Sequence, residues 1–302
     1  MDGKNTGSVG ACPPFEVLAP DRRTLPLVLS SPHSGTFYPE SFRRQSILDD
    51  LGLRRSEDTF VDVLFGAGPR LGAPLLRALY PRAFLDLNRE PYELDPEMFS
   101  DPLPSYANVA SARVAAGLGT VARVVGGGAE IYGHKLPYVE AEARIEGIYR
   151  PYHATLSALI RETQDLFGYC LLLDCHSMPS VAHGSPAFTA QVVLGDCHGR
   201  SCAPEVTEAA ESVLRASGLR VARNMPYAGG FTTSHYGRPS GGVHVLQIEL
   251  ARDLYMDEVT HQPNDGFAAL NDILTALVGS LGDILGAFLL PDTARLRARS
   301  AE

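Results

Sequence analysis

The run Tyr169-Cys170-Leu171-Leu172-Leu173-Asp174, followed at once by Cys175-His176-Ser177-Met178, decides how this chain is to be read. A short, nearly continuous apolar segment of this kind reads as a strand buried on both faces, the usual condition of strands in a parallel sheet. Further segments repeat the pattern: Leu25 to Ser31 (LPLVLSS), Ala83 to Leu87 (AFLDL), Ala190 to Leu194 (AQVVL) and Val243 to Leu250 (VHVLQIEL), with a short one at Leu219 to Ala222. Pro26 is tolerable near a strand's start.

Helical patterns lie between these segments. Ser56, Glu57 and Asp58 offer a helix start, after which Val61, Leu64 and Phe65 recur on one face. Leu136 to Leu166 is amphipathic but contains Pro151. Proline costs about 3 kcal/mol inside a helix, so a kink or two meeting helices is expected there. Ala203 to Ser217 and the almost wholly apolar Asn264 to Leu289 complete the set. Strands alternating with helices predict an α/β fold with one central mixed β-sheet flanked by helices. A single domain is expected over residues 15–292, with flexible termini at 1–14 and 293–302.

The 302 residues carry a net charge of −9 and are 45% hydrophobic and 20% charged. That balance suits a globular chain with a sizeable core. It argues against nucleic acid as a partner, though local arginines can still receive an anion. No run of about eighteen apolar residues is present, so no membrane span is expected. The polar N-terminus lacks a signal peptide's apolar stretch, which makes the cytoplasm the expected compartment. Five cysteines, an odd count, are expected to be reduced thiols. Cys197, His198 and Cys202 form an incomplete ligand set, read as a loop with incidental thiols.

In open α/β sheets ligands bind beyond the carboxyl ends of the strands. After LPLVLSS comes Pro32-His33-Ser34-Gly35; after AFLDL comes Asn88-Arg89-Glu90; after YCLLLD comes Cys175-His176; and Glu249 and Arg252 close the last strand. His33 and His176 are the natural metal-ligand pair, since neutral imidazoles suit Zn²⁺ and a carboxylate often supplies the third ligand. The alternative is that each imidazole serves core hydrogen bonding. Asp58 and Glu57 are candidates for the third ligand, although both also read as helix-capping acids. Glu249 shares a strand face with Val245 and Gln247. Burial disfavours its charged form and suits it to general-base work, unless it merely pairs with an arginine such as Arg252. Arg89 is the best-placed guanidinium for a carboxylate, beside Asn88, with Arg82, Arg144 and Arg252 as further candidates. The long Gly-rich stretch Asn224 to Gly242 has the length of a functional lid, and His235 and Tyr236 within it could reach a substrate.

Taken in order, SPHSGTFYP, SEDTFVDVLF, YPRAFLDLNREPYELDPEMF, IYRPYHATL, LLLDCHSMPS, NMPYAGGFTTSHYG and HVLQIELARDLYMDE resemble the N-formylglutamate amidohydrolase family from about Ser31 to Glu258. The resemblance implies a fold like that of the zinc carboxypeptidases and aminoacylases. It implies hydrolysis of N-formyl-L-glutamate to formate and L-glutamate, a late step of histidine degradation in some bacteria. It also implies one zinc ion, or another divalent metal, on His33, His176 and an acid that is Asp58 or Glu57. Glu249 would be the catalytic carboxylate, and Arg89 the binder of a substrate carboxylate with Arg144 in support. Zinc peptidases usually carry the acidic ligand three residues after the first histidine; Thr36 stands there, so the third ligand must come from elsewhere. A deacylase for another N-acyl amino acid, or a non-catalytic amino-acid-binding relative, are the rival readings.

Overall fold

The computed structural model describes residues 12–180 and 189–288; the expected terminal segments lie largely outside them, as does Leu289, the last residue of the expected final helix. Among the described residues seven strands form one mixed sheet: β1 (Phe15–Leu18), β2 (Leu27–Ser31), β3 (Leu75–Ala78), β4 (Cys170–Met178), β5 (Val192–Gly195), β6 (Val221–Arg223) and β7 (Val243–Ala251). Their spatial order is β1-β3-β2-β4-β7-β5-β6. β2, β4 and β7 run parallel, β5 is antiparallel to β7, and β6 is parallel to β5. A separate pair joins β8 (Met256–Asp257) to β9 (Gln262–Pro263). The expected mixed sheet flanked by helices is therefore present.

The chain gathers into two compact units, each made of several segments: residues 1–16, 32–59 and 77–156 in one, and 17–31, 60–76 and 157–302 in the other. The second unit holds most of the sheet. Alternation along its strands sorts the side chains by face. Leu27 and Leu29, Leu171, Leu173 and Cys175, Leu246, Ile248 and Leu250 belong to one apolar cluster. Helices Pro204–Ala216 and Phe267–Phe288 add Val206, Ala210 and Leu214, then Leu270, Leu274, Leu277, Val278 and Leu281. By length and composition, the window Phe267–Ile284 could cross a membrane. Those five residues instead supply a face of the protein core. The opposite sheet face carries Ser30, Asp174, His176, Gln247 and Glu249, all buried.

The first unit is mostly loops and short helices. Ala83 to Leu87 is buried throughout but is not a strand. Pro81 starts a turn there, with the Phe84 and Leu85 amides donating to its carbonyl at 2.9 and 3.2 Å. The apolar run marked burial and not pairing; the neighbouring strand is Leu75–Ala78. Glu57 and Asp58 do not open a helix either. The one-turn helix Val61–Leu64 begins only after Phe60, whose φ of 66° lies in the left-handed region. Pro151 sits where two helices meet, as its chemistry predicts. Helix Tyr138–Arg144 passes through a π-helical stretch, Ile145–Tyr149, into helix Arg150–Phe167.

Candidate active site

Two imidazoles are each backed by a buried carboxylate. His33 follows β2, in a segment whose Gly35 lies so close to the Tyr80 carbonyl that a Cβ would overlap it. His33 Nε2 lies 2.8 Å from Asp86 Oδ1, and Nδ1 lies 3.3 Å from Asp58 Oδ2. Asp86 is anchored in turn by Arg82 Nε at 2.9 Å, by Arg89 Nη2 at 3.4 Å and by the Asn88 amide at 2.9 Å. Burial alone would raise its pKa, but Arg82, Arg89 and His33 outweigh that and hold it well below the usual carboxylate range. As an anion Asp86 only accepts, so Nε2 carries the hydrogen, and in the neutral ring Nδ1 keeps its lone pair.

His176 repeats the arrangement. It lies within β4 rather than beyond its tip, because the strand continues to Met178. Asp174, two residues earlier and so on the same face, places Oδ2 3.0 Å from His176 Nε2. Sequence reasoning missed both Asp86 and Asp174 as functional groups. For Asp174 the available signal was a carboxylate two residues before a histidine in a buried strand; for Asp86 the sequence carries none.

The donor atoms of His33, Asp58 and His176 all lie within 4.8 Å of one another, a buried group that could hold a metal ion. Asp58 enters this group through its carboxylate, and its backbone amide, donating to the His33 carbonyl at 3.0 Å, ties the two residues together. Glu57, the alternative acid, is committed elsewhere. It accepts from Tyr38 Oη at 2.9 Å, from Arg54 Nε and Nη2 at 3.0 and 2.9 Å, and from Thr59 Oγ1 at 2.8 Å.

Strand register sets the carboxylate beside this group. Along the parallel β4–β7 pair, His176 faces Glu249 and Asp174 faces Gln247. Gln247 Oε1 accepts from the Gly230 amide at 2.8 Å, which leaves Nε2 to donate to Glu249 Oε1 at 2.9 Å. On β5, Gly195 lies opposite Gln247, and its missing Cβ admits the Ala228 backbone.

The remaining candidates are spread more widely. Arg89 is buried, and burial lowers its pKa to about 10, so it remains a cation at neutral pH. Its Nε and Nη1 donate to the carbonyls of Leu118 and Asn88 at 2.9 and 2.8 Å. Arg144 donates to the Phe84 carbonyl and Tyr132 Oη and lies 4.0 Å above the Phe84 ring. Arg252 Nε reaches Ser177 Oγ at 3.2 Å. His235 and Tyr236 lie on a short helix, Phe231–Tyr236, inside the Gly-rich stretch, where His235 stacks on Phe231. Cys197 and His198 occupy a loop in left-handed backbone.

A mixed sheet with a histidine and two carboxylates on one buried face near the strand ends has the make-up of an α/β hydrolase. Comparison with known proteins gives the class its family. Residues 25–256 match the model of N-formylglutamate amidohydrolase. An N-formylglutamate deformylase of Pseudomonas putida is 31% identical over 80% of this chain and 86% of its own length, and one from Pseudomonas aeruginosa shows the same figures. The crystal structure of N-formylglutamate amidohydrolase from Ralstonia eutropha JMP134 is 39% identical, with a TM-score of 0.86 over 90% of this chain and 98% of that one. A gene product of Agrobacterium tumefaciens shares the fold at 20% identity, with a TM-score of 0.61 over 90% and 96% of the two chains. The chain belongs to the N-formylglutamate amidohydrolase family and is an amidohydrolase.

Proposed function

We propose that this enzyme hydrolyses N-formyl-L-glutamate to formate and L-glutamate, using a divalent cation, zinc in the first instance, held by His33, Asp58 and His176. The donor set fits such an ion. Two nitrogens and one oxygen suit zinc, and each histidine has Nε2 turned to a buried carboxylate, the usual way a ligating imidazole is oriented. When bound, the cation would supply a Lewis acid for the amide carbonyl and for water.

The chain's own groups do the rest. Glu249, with Oε1 held by Gln247, takes a proton at Oε2 from the attacking water and returns it to the departing amine. Arg89, cationic and fixed beside Asn88, receives a substrate carboxylate and so orients the formamide. The observation that carries this reading is the register of His176 against Glu249, which puts a histidine and a carboxylate side by side on one buried face.

The test follows formate release from N-formyl-L-glutamate, with N-acetyl and N-succinyl glutamate beside it. The expected result is that chelation abolishes turnover, that zinc restores it, and that the formyl substrate is preferred. Glu249→Gln lowers kcat about 10²–10⁴-fold, the usual contribution of general-base catalysis, while the substrate still binds. Turnover indifferent to chelation, or a Glu249→Gln enzyme as fast as its parent, would overturn the assignment.

A further inference from the structure

The π-helical stretch Ile145–Tyr149 has a consequence for the segment that bears Asp86, Asn88 and Arg89. Three side chains along this helical run reach back to carbonyls of that segment. Arg144 Nη1 donates to Phe84 O at 3.1 Å, His153 Nε2 to Leu87 O at 2.9 Å, and Tyr149 Oη to Arg89 O at 2.7 Å. All three are fixed laterally. The Arg144 guanidinium covers the Phe84 ring, and the Tyr149 and His153 rings lie 4.2 Å apart. Residues 149 and 153 are four apart and share a face of any α-helix. Residues 144 and 149 are not so related. Five residues at 3.6 per turn leave them about 0.4 of a turn apart. The i→i+5 bonding of the π turn, seen in the Arg150 amide donating to the Ile145 carbonyl, removes most of that offset.

We propose that Tyr149 is a positioning residue for the reaction, and that the π turn exists to put it on the same face as Arg144. Together with His153 the three donors clamp the carbonyls of Phe84, Leu87 and Arg89, so that Asp86, between the first two, and Arg89, at the third, are held toward His33 and the substrate. The inference rests on the proposed function only for Arg89's role toward the substrate. The clamp itself is a matter of backbone hydrogen bonds.

The experiment compares the unaltered enzyme with Tyr149→Phe, which keeps the ring and loses only the donor, and with a deletion of Gly147, which replaces the π turn by an α-turn that still puts Arg144 and Tyr149 on one face. Amide hydrogen exchange reads residues 84–92 against β4 as an internal control. Steady-state kinetics reads KM and kcat separately. The expected result for Tyr149→Phe is at least tenfold faster exchange confined to 84–92, a KM for N-formyl-L-glutamate raised at least fivefold, and a kcat within about threefold of the parent. The Gly147 deletion leaves Arg144 and Tyr149 four positions apart on an α-turn, again on one face, so it should keep the exchange and KM of the parent. A folded deletion with exchange as fast as Tyr149→Phe overturns the register argument; if it fails to fold, Tyr149→Phe decides alone. Unchanged exchange overturns the clamp. Faster exchange with unchanged KM overturns the positioning role. An unaltered enzyme that does not hydrolyse N-formyl-L-glutamate refutes the functional reading instead, and the exchange arm still decides the clamp.

Discussion

At the residue scale the site is a matter of which atom of each side chain is already spoken for. An imidazole can ligate through either nitrogen, and the partner of one fixes the use of the other. Asp174 and Asp86 settle that choice for His176 and His33, the first from two positions along one strand and the second from a loop pinned by two arginines. Asp174→Asn is nearly isosteric, yet its amide can present a donor where the carboxylate accepts. Metal affinity should fall about 10–100-fold, as it does when such outer partners are lost. Titrating zinc against a competing chromophoric chelator measures this without any turnover. An affinity equal to the parent's would remove Asp174 from the site. Both histidines and Glu249 were legible in the sequence because each lies in or just after an apolar run where a polar residue is costly. The two supporting aspartates were not, because in DLN and in LDCH an acid near a strand end reads as ordinary turn chemistry. For Asp86 only the folded geometry distinguishes the two, whereas the spacing of Asp174 to His176 within one strand was a signal the sequence did carry.

At the element scale, the strands with both faces buried were readable, the short β6 was caught only in part, and β1 and β3 were not. LVLSS, YCLLLD and VHVLQIEL are buried along essentially their whole length, and all three became strands. β1 carries only half-buried or exposed residues, and β3 is interrupted by Arg77, so neither shows a clear run. AFLDL shows one and is a turn, since apolar content reports burial and Pro81 decides the backbone. β7 also carries a pH-sensitive joint. His244 Nδ1 accepts the Ala203 amide at 3.2 Å, at the start of helix Pro204–Ala216, and therefore must be unprotonated. Burial lowers its pKa below 6.5, against a smaller opposing pull from Glu205. The helix N-terminus likewise disfavours a cation there. Below about pH 6.5 the unfolded chain takes up a proton that the native His244 refuses. Its contribution to stability is thus fully present above that pH and is lost as pH falls toward the folded value. Urea midpoints at pH 7.5 and 5.5 should differ less in His244→Gln, whose amide oxygen can still accept from Ala203, than in the parent. Equal differences in the two proteins would show that His244 does not contribute.

At the scale of the whole molecule, a net charge of −9 coexists with buried arginines at 89, 144 and 252 and a half-buried Arg82, so global charge says little about which ligand the interior receives. What the fold supplies is a buried set of donors that the unfolded chain scatters, since residues 33, 58 and 176 are far apart in sequence. An ion that binds only the assembled set must stabilise the native state by mass action. Zinc at a hundredfold excess over its dissociation constant adds about 2.7 kcal/mol. For a chain of this size that amounts to a rise in Tm on the order of 5 °C. The metal-free protein should therefore melt lower than the zinc-loaded one by about that amount, with the loss reversed on adding zinc back. The same titration on His176→Ala, whose strand position leaves the sheet pairing intact, should show little or no shift. A zinc-induced rise of equal size in that variant would place the ion elsewhere, and a parent protein whose melting ignores both chelator and zinc would argue that the donors close on one another without a metal.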